Sequence, residues 1–297
     1  MNSSQHKSHR GTIAVENAKI LERQDFPGDQ VILRVHAPET AASAKPGQFA
    51  HIQCDPALAM RRPLSIMRVS AKNGWVDFLF KVLGEGTRLL AQRKVDDVLS
   101  IMGPIGKPFT TQMRHSRPLL IGGGVGIPPM VFLADSMREV KDAYQPFVIM
   151  GSEVPFPFKT QPSQIMVPGV PGDVIAAMPL MDDWGFASRL ASLQDYPGCF
   201  NGYVTDLART WLDTLSEEQR IEVAVFACGP HPMLEAVAKL AQEYHLPCQV
   251  SLEEFMACAV GGCAGCVVEV QTETGPAMKR VCVDGPVFES NAVFPSA

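Results

Sequence analysis

No stretch of the 297-residue sequence approaches the roughly 20 consecutive apolar residues of a membrane-spanning helix. The first ten residues are polar, lack the apolar core of a signal peptide, and are expected to form a disordered arm. Positive charge is also scarce: a net charge of −5 and a pI near 5.8 leave no basic footprint for nucleic acid. No internal repeat is evident, and in particular no eightfold strand–helix series. The expectation is a cytoplasmic globular protein of ordinary balance, 46% hydrophobic and 19% charged. In that compartment clustered cysteines are more often metal ligands or redox groups than disulfides.

Cysteine is where the sequence is concentrated. Four of the eight, Cys258, Cys263, Cys266 and Cys282, fall in residues 258–282, the first three in a loop rich in glycine and alanine. The spacing C-x4-C-x2-C…C is that of a plant-type [2Fe-2S] ligand set, and glycines let backbone amides approach the sulfides. Structural zinc, buried thiols and disulfides are the alternatives. Zinc favours paired C-x2-C knuckles, and one such pair is present. Of the scattered cysteines, Cys54, Cys199 and Cys248 read as buried small hydrophobes.

Length suggests two domains and a small third. Over residues 11–114, short β-rich runs recur at 12–15, 31–35, 48–53, 64–69, 76–82 and 98–102, punctuated by Pro27-Gly28, Pro46-Gly47 and Asn73-Gly74. Such a series predicts a small antiparallel barrel, with one helical piece at 86–92. Over residues 115–248 the pattern changes to alternating strand (118–121, 147–150, 223–227) and helix (after Gly126, and 230–244). That alternation predicts an open parallel sheet covered by helices. Residues 154–201 hold seven prolines and read as a long insertion, with a strand near 165–167 and a short helix near 186–193. Residues 249–297 form a terminal unit around the cysteines, with strands expected at 267–270 and 281–284. The fold class is multi-domain: an antiparallel β-barrel, an α/β parallel-sheet domain and a small cysteine domain.

Four motifs fit a ligand. In Arg62-Pro63-Leu64-Ser65 the arginine can pair with a phosphate, and the serine can hydrogen-bond a planar ring lying over the strand. A salt-bridged arginine beside a buried hydroxyl is the plain alternative. Gly84-Glu85-Gly86-Thr87 follows a strand and opens a helix, where amides can cradle a pyrophosphate; an ordinary capped turn is the alternative. Gly122-Gly123-Gly124-Val125-Gly126 lies between strand and helix, as a dinucleotide loop requires, though a tight structural turn has the same look. Glu153, after the second strand, would accept from ribose hydroxyls and repel a 2′-phosphate, favouring NADH over NADPH. Cys228-Gly229-Pro230 closes the third strand at the edge where such sheets bind ligands; a buried cysteine before a helix turn is the alternative.

In this order the motifs resemble the ferredoxin-NADP reductase superfamily. The tail, Ser251-Leu-Glu-Glu-Phe-Met-Ala-Cys258 through Val281-Cys282-Val-Asp-Gly-Pro-Val-Phe288, resembles one branch of it, the electron-transfer subunits of class 1B dihydroorotate dehydrogenase. The resemblance implies that residues 11–114 bind FAD, 115–248 bind NAD and 249–297 carry the cluster. Arg62, within Arg62-Pro63-Leu64-Ser65, would neutralise the FAD pyrophosphate. Ser65 would contact the flavin near N5, and Gly84, Gly86 and Thr87 would complete the phosphate cradle. Gly122, Gly123, Gly124 and Gly126 would receive NAD(H), and Cys228, Gly229 and Pro230 would face the nicotinamide, with Ser65 and Cys228 nearest the chemistry. Cys258, Cys263, Cys266 and Cys282 would ligate [2Fe-2S]. It further implies an FMN-containing catalytic subunit that oxidises dihydroorotate in pyrimidine biosynthesis, in a heterotetramer, with electrons passing to the cluster, FAD and NAD+. A reductase subunit serving ferredoxin, a hydrogenase or a sulfite reductase is the related alternative. A non-catalytic redox-sensing adaptor is the unrelated one.

Overall fold

The computed structural model describes residues 12–140 and 143–295; the arm expected over residues 1–10 lies outside them. Six antiparallel strands come first: β1 (Ala14–Phe26), β2 (Gln30–His36), β3 (Phe49–Gln53), β4 (Arg62–Ser70), β5 (Trp75–Lys81) and β6 (Val98–Ile105). They close into a barrel in the order β1-β2-β5-β4-β3-β6. The pleat sorts their side chains: Ala18 and Ile20 of β1 and Val31, Leu33 and Val35 of β2 fill the barrel, while Asn17 and Lys19 face water. Gly74, at φ +65°, makes the tight turn between β4 and β5. Two short helices, α1 (Pro38–Ser43) and α2 (Glu85–Leu90), interrupt the strands.

The chain then alternates: β7 (Leu119–Gly123), α3 (Ile127–Arg138), β8 (Phe147–Gly151), β9 (Gln161–Pro162), β10 (Ala176–Ala177), α4 (Pro179–Asp183), β11 (Ala187–Ser192) and β12 (Phe200–Asn201). It continues with α5 (Val204–Leu212), α6 (Glu217–Ile221), β13 (Val225–Cys228), α7 (His231–Glu243) and β14 (Cys248–Ser251). After the cysteine loop come the hairpin β15 (Val267–Thr272) and β16 (Gly275–Arg280), then α8 (Val281–Asp284), β17 (Val287–Glu289) and α9 (Ser290–Val293). The sheet order is β12-β11-β8-β7-β13-β14-β17, parallel except for β17, which runs antiparallel to β14. Leu119 to Ile121 and Phe147 to Met150 are buried throughout, as strands covered on both faces require.

Three local expectations are corrected. Residues 187–192 are the strand β11, paired with β8 from Ala187↔Phe147 to Ala191↔Gly151, so the supposed insertion contributes a member of the sheet. Alanine, leucine and arginine there favour a helix locally, and pairing along β8 overrides that weak preference. Residues 165–167 form no strand; the Ile165 carbonyl instead accepts from Arg189 Nη2 at 2.8 Å. Residues 281–284 are the helical turn α8, where Asp284 Oδ2 accepts from the Arg280 amide at 2.9 Å, a side-chain bond that competes with a strand ladder.

The units share one interior. An apolar core runs from Phe49 and Ile105 of the barrel through Ile121 and Ala227 of the sheet to Cys266, Val281 and Cys282. Phe132 of α3 packs into the barrel core. Arg68 of β4 lies 5.6 Å from the rings of both Trp75 and Trp184, a further tie between barrel and sheet units.

Candidate redox site between barrel, sheet and cysteine loop

Arg62 heads β4 opposite Ile52, and Ser65 stands opposite Phe49. The Arg62 Nη1 donates to the Met60 and Arg61 carbonyls at 2.9 and 3.2 Å, and among the described residues no carboxylate pairs with it. A Cβ added at Gly86 would lie 2.7 Å from Arg62 Nε and 3.0 Å from Nη2. The guanidinium therefore rests on the first turn of α2, where it and unbonded amides present one positive surface of the kind a phosphate seeks. Thr87 shapes that turn: its Oγ1 accepts from the Leu83 and Gly84 amides at 3.0 and 3.2 Å and donates to the Gly84 carbonyl at 3.1 Å. Its hydroxyl and the Gly84 amide are thus engaged within the turn.

The glycine loop at 122–126 and the Cys228 motif form a second surface. Gly122 and Cys228 are paired across β7 and β13, at the carboxyl edge of the sheet. A Cβ on Gly126 would meet the Cys228 carbonyl oxygen at 2.2 Å and the Gly229 nitrogen at 2.6 Å. Glycine is required there because backbone lies against backbone. Gly124 has φ +55° and open space around it, room for a ligand to approach. Cys228 itself is 1% exposed, and burial pushes its thiol well above the ordinary range. Its sulfur is a packed neutral thiol, so backbone and Gly229 present the polar surface here. Glu153 is exposed just past the end of β8. Ser192 at the end of β11 donates to the Ser152 carbonyl at 2.7 Å, a contact hidden from sequence reasoning by the misread strand. A cleft of about 340 Å³ extends from Gly229 to His231 towards Glu253, Glu254 and Glu269.

The cysteine loop folds back on itself through Ala259, Gly261 and Ala264, at φ +55°, +80° and +54°. Amides donate to sulfur: Cys263 N to Cys258 Sγ at 3.4 Å, Gly265 N to Cys263 Sγ at 3.4 Å and Cys282 N to Cys266 Sγ at 3.5 Å. Burial raises the Cys258 thiol, but amides of Val260, Cys263 and Gly262 and the Cys263 thiol outweigh it and bring it down to about 7. Burial and the neighbouring Cys266 push Cys282 up to about 12. All four thiols are free; Cys258 lies beside Cys263, and Cys282 beside Cys266 and within electrostatic reach of Cys258. Among the described residues no three or more His, Cys, Asp or Glu are grouped to hold one metal ion. Four thiols on one loop and the turn that follows, with amides donating to three of the sulfurs, match the four-cysteine donor set of a [2Fe-2S] centre.

The arm leading into that loop lies against the barrel. Met256 belongs to the same core as Phe49, and its backbone lies beside His51 of β3. His51 is 1% exposed, and neither ring nitrogen makes a well-formed hydrogen bond, although the Met256 and Arg61 backbone lies within reach of the ring. Burial, then Arg61, lowers its pKa to about 4 against the opposing Met256 and Arg61 backbone; Arg62 adds to the lowering. An unfolded imidazole takes up its proton near pH 6.5, whereas this ring stays neutral until about pH 4. Stability is therefore full above pH 6.5 and declines as the pH falls through that window, by about 3 kcal/mol at most. Thermal unfolding midpoints of His51→Gln should fall less steeply over that range than those of the wild type. Identical slopes would contradict the assignment.

The barrel followed by the Gly-rich parallel sheet is the fold of the ferredoxin-NADP reductase-like structures. Its solved likenesses include an NADH-dependent reduced ferredoxin-NADP oxidoreductase (24% identity, TM-score 0.73, 94% of this chain and 90% of that one). Another is the cytochrome b5 reductase domain of Ulva prolifera nitrate reductase (15%, 0.57, 78% and 94%). Residues 253–294 match the model of the iron-sulfur cluster binding domain of dihydroorotate dehydrogenase B. Relatives named dihydroorotate dehydrogenase B (NAD(+)), electron transfer subunit, are found in Desulforamulus reducens (32% identity, 93% of this chain, 97% of the relative) and Geobacillus kaustophilus (34%, 84%, 86%). The chain belongs to this family of electron-transfer subunits. Among the described residues no helix is long and apolar enough to cross a membrane.

Proposed function

We propose that the chain carries electrons between a dihydroorotate-oxidising flavoprotein subunit and NAD+ in pyrimidine biosynthesis, using FAD and a [2Fe-2S] cluster. When bound, FAD exchanges hydride with a nicotinamide and single electrons with the cluster, which joins a two-electron carrier to one-electron carriers. The observation that carries the reading is the seating of the cysteine arm: Met256 lies against His51, and His51 stands opposite Pro63 in the flavin strand β4. Residues 11–114 hold FAD, 115–248 hold NAD(H) and 249–297 hold the cluster. Arg62 and the first turn of α2 take the FAD pyrophosphate, Ser65 lies at the flavin ring, and Gly84, Gly86 and Thr87 shape the cradle. Gly122, Gly123, Gly124 and Gly126 receive NAD(H) beside Cys228, Gly229 and Pro230, and Glu153 selects against a 2′-phosphate. Cys258, Cys263, Cys266 and Cys282 ligate the cluster, and free thiols of this kind suit the cytoplasm. No residue has to act as acid or base: the chain orients, excludes water and holds its carriers in line.

Co-expression with the catalytic subunit tests the reading. The purified complex should reduce NAD+ only when dihydroorotate is supplied; NAD(H) turnover with ferredoxin alone would favour the related reductases instead. A smaller test addresses the cradle. Gly86→Val would press a branched side chain into Arg62, and FAD affinity measured by flavin fluorescence should fall by about tenfold or more.

A further inference from the structure

His51 is the buried polar group that the relay leaves without a task. Along β3, Ala50 and Ile52 belong to the barrel core, whereas Phe49 belongs to the core shared with the sheet and the cysteine unit. By strand alternation His51 lies on the outer face with Phe49, beside the Met256 backbone two residues before Cys258. The main chain of His51 is clamped to the barrel. Its carbonyl accepts from Arg61 Nη1 at 3.2 Å, and the same guanidinium donates to the Ser100 carbonyl at 2.7 Å and to Ser100 Oγ at 2.8 Å. His51 is also opposite Pro63, between Arg62 and Ser65 on the adjoining strand. A ring fixed to the flavin strands thus projects into the seam where the cluster arm lies.

Neither nitrogen of that ring makes a well-formed hydrogen bond, although the ring is buried. A buried donor left without an acceptor is costly, and an apolar side chain of similar size would carry no such penalty. Across the seam the backbone of Met256 lies beside the ring. We propose that His51 is a positioning residue for electron transfer, pinning the Met256 carbonyl with a ring N–H in the loaded protein and so setting the spacing between flavin strand and cysteine loop. This rests on the FAD and [2Fe-2S] reading above. One-electron transfer weakens steeply with separation, so a pin that removes slack in the arm raises the transfer rate without touching either carrier.

The test compares wild type, His51→Leu and His51→Gln as loaded complexes. With His51→Leu, FAD content, the reduced-cluster EPR signal and the rate of FAD reduction by NADH should match the wild type. Electron transfer from FAD to the cluster, followed by stopped flow, should slow on the order of tenfold. Amide hydrogen exchange over residues 253–257 should quicken. His51→Gln, which keeps an N–H donor, should restore both transfer and protection. Wild-type transfer and exchange in His51→Leu, or slow transfer in both variants, would overturn the pin alone. A wild-type protein with no reducible cluster would overturn the relay and the pin together.

Discussion

Replacing Cys263 with serine should abolish dihydroorotate-dependent NAD+ reduction by the complex while NADH still reduces the bound FAD at the wild-type rate. Cys263 is the exposed member of the four thiols, and its sulfur accepts from the Gly265 amide while its own amide donates to Cys258. Serine supplies a poorer ligand for iron, so a [2Fe-2S] cluster held by these four cysteines would lose one of its four thiolates. The flavin cradle is remote in sequence and rests on Arg62 and Gly86, which this change leaves alone. Stopped-flow reduction of FAD by NADH separates the two activities. If both fell together with FAD still bound, the assigned order of carriers would be wrong.

Gly126→Ala should have an effect of comparable size on the other half of the relay. Its Cβ would sit 2.2 Å from the Cys228 carbonyl oxygen and 2.6 Å from the Gly229 nitrogen, both main-chain atoms that cannot rotate away. Forcing the loops apart costs about 1–3 kcal/mol of packing and displaces the surface where the nicotinamide would lie. FAD reduction by NADH should slow by about a hundredfold, with the cluster EPR signal unchanged. An alanine variant that reduces FAD at the wild-type rate would remove this surface from the nicotinamide site.

The legibility of the chain was uneven for physical reasons. The barrel was readable because its first strands alternate inward and outward residues and its turns carry glycine, as at Gly74. The glycine loop was readable because the close approach of Gly126 to Cys228 tolerates no other residue. The strand at 187–192 was not, since Ala, Ser, Arg and Leu there are weak strand formers and only pairing with β8 makes them one. Residues 281–284 were misread because Val281-Cys282-Val283 looks like a strand until Asp284 is seen to cap the turn. His51 was invisible: one histidine in a run of apolar residues gives no hint that its outward face meets an arm some 200 residues later. Cys228 sits at the carboxyl edge of the sheet with its side chain buried, an exposure its sequence position does not reveal, because a register position fixes the backbone and not the exposure of a small side chain.

The most direct test of the account is the ultraviolet–visible and EPR spectrum of the anaerobically purified protein, before and after reduction. The account expects a flavin absorption band together with a rhombic signal from a reduced [2Fe-2S] centre that Cys263→Ser removes. A flavin band with no such signal, and zinc bound at the cysteines instead, would contradict it.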